Sequence, residues 1–200
     1  MIRVLQRWCK PFPGFYIYVP SREQMPAKVR ALVDFLVEKR EARPETSVIT
    51  KIVSGGQTGV DRAALDFAIR NDIEHGGYCP KGRRSESGRI PDRYRLQECA
   101  SPAYAMRTAL NVQHSDGTLI LTRGQPEGGT RLTVNLCIER DKPRHVVNLL
   151  HKLKPDAFAR WVRDNNIRTL NVAGPRASKR SGILEQAKKA LAELFNALDT

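Results

Sequence analysis

Glycines and small polar residues follow three separate apolar runs of this 200-residue chain. The first group, Ser54 with Gly55, Gly56, Gln57, Thr58 and Gly59, comes after the run Ile49–Val53 and before a helix predicted to begin at Val60 and Asp61. Glycines permit positive φ and allow a ligand to approach the backbone closely. The amide N–H groups and the dipole at a helix start attract anions. The sequence therefore predicts a binding site for phosphate or another oxyanion.

This turn matches neither G-x-G-x-x-G nor the Walker sequence, so a glycine-rich turn that binds no ligand is the alternative. Asp61 fits a helix start, where a carboxylate is favourable, but it would repel a bound phosphate. We expect Asp61 either to cap the helix or to face a hydroxyl, an amide or a metal of the ligand. The sequence leaves these possibilities open.

Three further segments have the same character. They are Lys81–Arg84 in the charged loop Pro80–Arg95, the glycine turn around Gly128, Gly129 and Thr130, and the turn Gly174, Pro175 and Arg176. In parallel α/β sheets, ligands bind beyond the carboxyl ends of the strands. We therefore expect the four segments to converge on one site.

Strands and helices alternate from Val48 onward. The predicted strands are Ile49–Val53, His75–Cys79, Gly117–Thr122, Arg144–Leu149 and Arg168–Ala173, and the helices are 60–71, 104–112, 132–139, 155–165 and 182–198. This alternation predicts an α/β fold, a Rossmann-like, doubly wound and mainly parallel sheet of about five strands with right-handed crossovers.

Residues 1–47 have a different character. An aromatic strand, Phe15–Val19, precedes an amphipathic helix with Pro26 in its first turn and apolar residues at helical spacing: Val29, Leu32, Val33, Leu36 and Val37. The polar stretch Lys39–Ser47 is typical of a linker. We predict an appendage over 1–47 and a main domain over 48–200.

The net charge of +13 raises the question of a nucleic-acid partner. The basic residues are scattered, however, and the one dense cluster, in the loop Pro80–Arg95, also contains Glu86 and Asp92. Aromatic residues make up only 6% of the chain, which leaves little for base stacking. A small polyanion is favoured, with a single-stranded nucleic-acid binder as an alternative. The four cysteines form no C-x-x-C pair, and neither a zinc site nor another metal site is predicted.

No apolar run approaches the roughly 20 residues needed to span a bilayer. The first 20 residues contain a short apolar part that Lys10, Pro11 and Pro13 interrupt. They also lack the small-residue cleavage site of a signal peptide. We expect a cytoplasmic protein.

Several motifs of the main domain resemble the bacterial family of putative molybdenum carriers, in order from Val48 to Leu198. They are S-G-G-Q-T-G-V-D-R-A-A-L-D at 54–66, G-G-Y-C-P-K-G-R at 76–83, R-T-x-x-N-V-x-x-S-D-G-T-L-I at 107–120, G-G-T-x-x-T at 128–133 and N-V-A-G-P-R-x-S at 171–178. That family is similar to molybdenum cofactor carrier proteins. More distantly, it belongs with Rossmann-like folds that include the Lonely Guy phosphoribohydrolases and DNA-processing proteins.

The resemblance implies a carrier of the molybdenum cofactor, a phosphate-bearing pterin, or of molybdate. The glycine turns, with Thr58 and Thr130, would then bind the phosphate or molybdate, and Lys81, Arg83 and Arg176 would supply positive charge. Asn111, Ser115 and Asp116 would contact the pterin edge. The resemblance also implies a homo-oligomer and delivery to molybdoenzymes. For Arg107 and Asp116, a structural role is as strong an expectation as a role in ligand binding. In that case Arg107 would form an ion pair with Glu98 or Asp116.

Residues from about Pro11 to Leu36 resemble a different family, the carboxyl-terminal end of the effector-binding domain of LysR-type regulators. The stretch P-G-F-Y-I-Y-V-P followed by P-A-K-V-R-A-L-V-D-F-L carries this resemblance. No helix-turn-helix accompanies it, so we interpret it as a remnant and transfer no regulator function.

The alternative functions are a nucleotide sensor and a phosphoribohydrolase that acts on nucleoside monophosphates. Lonely Guy enzymes carry P-G-G-x-G-T-x-x-E, in which the glutamate assists cleavage. The corresponding turn here, from Glu127 to Thr133, is followed by Val134 and Asn135, so no glutamate lies at that place. We therefore predict binding without catalysis and no catalytic residues.

Overall fold

The computed structural model describes residues 26–31, 34 and 49–198. The chain divides into two units, residues 1–45 and 46–200, which are described separately. In the first unit, residues 27–31 and 34 are helical, and the amides of Val29 and Arg30 both donate to the Pro26 carbonyl at 2.9 Å. This agrees with the predicted helix start. The predicted strand Phe15–Val19 and the linker Lys39–Ser47 lie outside the described residues.

The second unit alternates strands and helices. In chain order its elements are β1 (Lys51–Val53), α1 (Val60–Arg70), β2 (Glu74–Gly76), β3 (Tyr78–Cys79), β4 (Arg84–Ser85), β5 (Gly88–Arg89), β6 (Gln97–Glu98), α2 (Tyr104–Gln113), β7 (Gly117–Thr122), α3 (Gly128–Glu139), β8 (Arg144–Asn148), α4 (Pro155–Asp164), β9 (Thr169–Ala173) and α5 (Ile183–Asn196). The main sheet has five strands in the order β2-β1-β9-β7-β8, all parallel. The predicted α/β fold with a parallel five-stranded sheet is confirmed.

Right-handed crossovers distribute the helices over two faces of the sheet. The connections β1 to β2 and β8 to β9 run in one direction across the sheet, and those from β2 to β7 and from β7 to β8 run in the other. Helices α1 and α4 therefore share one face, where α5 packs against both, and α2 packs beside α3 on the opposite face. The large apolar core lies under α1, α4 and α5. Leu65 is on another side of α1 and belongs to a second, smaller cluster.

The strand order places a topological switch point between β9 and β7. The chain leaves β9 toward α5 on one face and leaves β7 toward α3 on the other, so the two connections diverge and leave a crevice between them. If β9 and α5 preceded β1, the order would become 3-2-1-4-5, which is the order of dinucleotide-binding sheets. The chain is thus a circular permutation of that arrangement.

Two predicted segments differ from the structure by more than a shift of one or two residues at an end. The predicted strand His75–Cys79 is two strands, because the chain turns at Gly77, where φ is 118° and a Cβ would lie 2.4 Å from the Ser54 carbonyl. β3 therefore leaves the main sheet and pairs with β6. The glycines 128 and 129, predicted as a turn before a helix, form the first turn of α3 itself.

The charged loop Pro80–Arg95 carries a hairpin, β4–β5, and contributes to a small apolar cluster of its own. This cluster consists of Leu65, Cys79, Ile90, Tyr94 and Leu96. A loop of this length is thus held by burial of apolar side chains against α1 rather than left extended in solvent.

Candidate functional site

A cavity of about 350 Å³ lies at the switch point. Residues after β7 and β9, the start of α3 and one side of α1 and α2 line it. They are Gln57, Asp61, Tyr104, Arg107, Thr108, Thr122, Arg123, Gln125, Glu127, Gly128, Gly129, Thr130, Thr133, Ala173, Gly174, Pro175, Arg176, Lys179 and Arg180. Five of these side chains are basic and two are acidic. The cavity is therefore suited to an anionic ligand.

Three amides in and just after the first glycine turn donate to acceptors within the chain. The Gln57 amide donates to Asp61 Oδ2 at 3.2 Å, the Thr58 amide donates to the Gln57 side chain at 3.0 Å, and the Val60 amide donates to the Pro175 carbonyl at 3.2 Å. These bonds tie the start of α1 to the turn after β9. The Gln57, Thr58 and Val60 amides therefore position neighbouring groups of the chain and are not free to bind a ligand.

Close backbone packing explains two of the glycines. At Gly59, where φ is 79°, a Cβ would lie 2.5 Å from the Pro175 carbonyl oxygen. At Gly174, a Cβ would lie 2.4 Å from the Leu121 carbonyl oxygen. Both glycines let the turns after β1, β7 and β9 meet, and three of the four predicted segments converge here as expected from the sequence.

Asp61 is buried at the cavity wall and pairs with Arg107 from α2. Its Oδ2 lies 3.0 Å from Arg107 Nη1 and also accepts the Gln57 amide. Burial raises the pKa of the Asp61 carboxyl, and the nearby Arg107 guanidinium limits that rise. Of the partners considered from the sequence for Arg107, neither Glu98 nor Asp116 is the one observed. Arg107 neutralises the carboxylate that would otherwise repel an anion.

The start of α3 presents free donors to the cavity. Among the described residues, the amides of Gly128 and Gly129 have no acceptor, whereas the amides of Thr130 and Arg131 both donate to the Glu127 carbonyl. A Cβ at either glycine would meet no atom within 4 Å. These N–H groups, with the dipole of α3 behind them, are suited to an oxyanion. The side chain of Thr130, only 5% exposed, lies beside them in the cavity wall.

The β4–β5 hairpin reaches the edge of this cavity through Glu86. Its carboxylate accepts the hydroxyl groups of Thr58 and Ser178, as well as the Ser178 amide at 3.1 Å. Arg176 Nε lies 3.6 Å from the same carboxylate. Desolvation raises the pKa of Glu86, but hydrogen bonds from Ser178 and Thr58 outweigh it, and the pKa lies below its ordinary value.

Two of the predicted cationic residues lie away from the cavity. Arg83 is buried in the loop 80–98, where its guanidinium donates to the carbonyls of Ile90, Pro91, Tyr94 and Leu96 at 2.9–3.1 Å. Lys81 is exposed, and its amide donates to the Ser101 carbonyl. Neither side chain lines the cavity at the switch point.

Three predicted polar residues also lie elsewhere. Asn111 exchanges two hydrogen bonds with the backbone of Tyr78, at 2.8 and 3.0 Å, and borders a second cavity of about 310 Å³. Ser115 donates to the Val112 carbonyl. Asp116 accepts the amides of Arg168 and Thr169 at the amino ends of β7 and β9, the opposite edge of the sheet. The contacts of Asn111 and Asp116 join separate elements, whereas the Ser115 contact is local to the end of α2.

Sequence reasoning did not assign Tyr104, Arg107, Arg123, Lys179 and Arg180 to the site. Arg123 directly follows β7, and Lys179 and Arg180 lie in the connection from β9 to α5, so their place beyond the carboxyl ends of strands was an available signal. Arg180 lies 3.3 Å from Glu127, and Arg123 donates to the Ser181 carbonyl at 3.0 Å, so both span the cavity mouth. Nothing local to Tyr104 or Arg107 indicates that α2 packs beside the first turn.

The donor set suits hard oxygen ligands. The described cysteines, Cys79, Cys99 and Cys137, are buried and none lines the cavity. Within the described ranges, no three His, Cys, Asp or Glu side chains are grouped so as to hold a metal ion. An anion would be held here through its oxygen atoms by N–H, hydroxyl and guanidinium groups.

A Rossmann-like sheet with a basic cavity at its switch point defines the class of protein. Residues 52–195 match the model of the circularly permutated YpsA SLOG family, and the chain belongs to that family. Its permuted strand order agrees with the family's description. A crystal structure of a protein from Syntrophus aciditrophicus, named a putative molybdenum carrier protein, is 43% identical, with a TM-score of 0.71, over 74% of this chain and 96% of that one. The resemblance to this family of carriers is confirmed.

Curated proteins with other names match only short stretches of this chain. One, named a putative transcriptional regulator, from Pseudomonas aeruginosa, is 41% identical over 49 residues, which is 24% of this chain and 15% of that protein. Another, from Escherichia coli, is named a putative LysR family substrate binding domain-containing protein and is 39% identical over 41 residues, 20% of this chain and 30% of that protein. The chain thus spans less than a third of either relative.

No helix in the described residues has the length and apolar character needed to cross a membrane.

Proposed function

We propose that this protein is a carrier that binds molybdate or the phosphate-bearing molybdenum cofactor in the cavity at the switch point. One observation carries the proposal. The amides of Gly128 and Gly129, at the start of α3, have no acceptor among the described residues, and five basic side chains line the same cavity. The similar protein from Syntrophus aciditrophicus is named a putative molybdenum carrier protein, which supports the choice of cargo.

The cavity supplies three kinds of contact to such a ligand. The α3 amides and the Thr130 hydroxyl would donate to phosphate or molybdate oxygens. Arg176, Lys179 and Arg180 would add charge from the turn after β9. Arg107 would remain paired with Asp61 and hold the wall in place. Because no described thiolate faces the cavity, we propose that the metal is held through its oxygen atoms or through the rest of the cofactor.

Metal analysis and mass spectrometry of small molecules released from protein purified without oxygen or phosphate would test this proposal. Molybdenum together with a pterin phosphate is the expected result. A titration of apo-protein with molybdate, followed by melting temperature, provides a second test. Protein that carries neither molybdenum nor pterin, and whose melting temperature is unchanged by molybdate or molybdopterin, would refute it. Transfer to molybdoenzymes, self-association and a cytoplasmic location are further parts of the proposal.

A nucleotide is the second candidate ligand. Tyr104 lines the cavity with 42% of its surface exposed, so its ring is available to stack on a base. Only two carboxylates line the described cavity, Asp61 and Glu127, and each is paired with an arginine. Recovery of a nucleotide without metal would favour this candidate, and hydrolysis of that nucleotide would establish an enzyme.

A further inference from the structure

The Glu86 carboxylate lies among groups that ordinarily bind anions. Three hydrogen-bond donors converge on it: the hydroxyls of Thr58 and Ser178 and the Ser178 amide. The Arg176 guanidinium adds positive charge at 3.6 Å. These donors come from the turns after β1 and β9, whereas Glu86 comes from the β4–β5 hairpin. A negatively charged side chain is thus bound by the glycine turns much as an external oxyanion would be.

We propose that Thr58, Ser178 and Arg176 form an anion subsite beside the cavity, that Glu86 occupies it in the absence of ligand, and that an oxyanion displaces Glu86. Arg176 makes the two sites competitive, because it both lines the cavity and pairs with Glu86. Gln57 connects them in a second way, since it lines the cavity and its side chain accepts the Glu86 amide at 3.0 Å.

Displacement of Glu86 requires the β4–β5 hairpin to move. The other contacts of the hairpin allow such a movement. Besides Glu86, the hairpin is held to α1 by Arg62, whose guanidinium donates to the side chains of Ser85 and Ser87. A Cβ at Gly88, next to the hairpin tip, would meet no atom of the described residues within 4 Å. The base of the loop is held separately by the buried Arg83. The tip can therefore leave the subsite while the base stays folded.

The inference rests on the proposed function only for the identity of the oxyanion, so its test uses molybdate and inorganic phosphate in parallel. Glu86→Gln keeps the size of the side chain but removes the charge that competes for Arg176. We expect it to bind the anion about three- to tenfold more tightly than the unaltered protein in calorimetric titrations. Ser178→Ala, which removes a donor from the subsite, should weaken binding by a similar factor.

Two matched controls separate this effect from others. Glu98→Gln alters a glutamate in β6, just after the charged loop, which accepts the Gly82 amide outside the subsite. Glu185→Gln makes the same change of net charge on the exposed side of α5, where Glu185 pairs with Lys188. Both should bind the anions as the unaltered protein does. Hydrogen exchange of residues 84–89 should speed up when anion saturates the unaltered protein.

The outcomes distinguish the two proposals. Equal molybdate affinity for the unaltered protein and Glu86→Gln, with unchanged exchange in the hairpin, would overturn the displacement and leave the carrier function intact. Phosphate binding that Glu86→Gln tightens, without molybdate binding, would support the displacement and exclude free molybdate as the cargo. Absence of binding of either anion to any variant would overturn the displacement, whereas the carrier function is judged by the recovery of molybdenum and pterin described above.

Discussion

The Arg107 guanidinium passes over the first glycine turn to reach Asp61. Arg107 Nη1 lies 3.0 Å from Asp61 Oδ2, although the two residues are 46 positions apart in the chain. Arg107 Nε is buried and has no hydrogen-bond partner among the residues that the structure describes. The pair thus fixes the side of the cavity where α1 and α2 meet. It also compensates a carboxylate that is only 3% exposed.

Arg107→Ala should destabilise the protein in a pH-dependent way. Removal of one partner from a buried ion pair typically costs about 3–5 kcal/mol. Burial raises the pKa of Asp61 and Arg107 opposes the rise, so the variant should have a still higher pKa at Asp61. The loss in free energy of unfolding should be complete above the Asp61 pKa of the variant. It should decline as the pH falls from that pKa to the lower Asp61 pKa of the unaltered protein, and disappear below both, where the carboxyl is neutral. Urea unfolding at a series of pH values measures this loss.

Two further variants control that experiment. Arg107→Lys retains a positive charge and should lose less stability than Arg107→Ala. Asp61→Asn together with Arg107→Ala removes the unpaired charge and should abolish the pH dependence of the loss. An identical loss for Arg107→Ala at every pH would contradict the assignment of Asp61 as its cause.

Gly55→Ala should displace Arg107, because a Cβ there would lie 1.7 Å from Nη1. We expect a loss of about 1–3 kcal/mol in the free energy of unfolding, as for other overpacked sites. The loss should be much smaller when Arg107 is already alanine, since the obstructing side chain is then absent. Gly76→Ala is the control, because its nearest contact, at 3.4 Å, requires at most a small shift. Additive effects of Gly55→Ala and Arg107→Ala would argue against this mechanism.

Much of this architecture could be predicted from local patterns in the sequence. What could not be predicted has a physical cause. Apolar runs that end in glycines predicted the sheet and the convergence of the turns at 55–59, 128–130 and 174–176. Which amides are free could not be predicted, because the partners of Gln57 and Val60 depend on how Asp61 and Pro175 pack in three dimensions. The strand order, and hence the switch point, likewise depends on tertiary pairing.

Arg83 illustrates the same limit among the charged residues. Its type and position in a basic loop suit a ligand-binding residue, yet its guanidinium donates to four backbone carbonyls of the loop. A loop that lacks regular sheet pairing has carbonyls in need of donors, and an arginine satisfies several at once. The spacing of residues in the sequence does not distinguish these two uses of an arginine.

Arg83→Met should therefore reduce stability and not act on the ligand directly. Loss of these buried hydrogen bonds should cost about 3 kcal/mol or more in the free energy of unfolding. Hydrogen exchange should increase over residues 84–96. Lys81→Ala, two residues earlier and exposed, should leave both quantities unchanged. If Lys81→Ala weakened molybdate binding while Arg83→Met left stability unaltered, the roles assigned to the two residues would be wrong.

Gly129 offers the most direct test of the α3 donors. Gly129→Pro removes the N–H group but places proline in the first turn of a helix, where it is tolerated. The open space around Gly129 accommodates the ring, and the preceding residue, Gly128, has no Cβ to clash with it. If this amide binds the oxyanion, molybdate affinity should fall about tenfold or more, which corresponds to one lost hydrogen bond to a charged group.

Gly129→Ala completes this comparison, because it adds a Cβ in the same open space and keeps the N–H group. Its affinity for molybdate should stay close to that of the unaltered protein, and both variants should unfold at similar urea concentrations. Equal losses of affinity in the alanine and proline variants would indicate that space near α3 matters rather than the amide. Unchanged affinity in both variants would indicate that the oxyanion binds away from α3, near the basic side chains that follow β9.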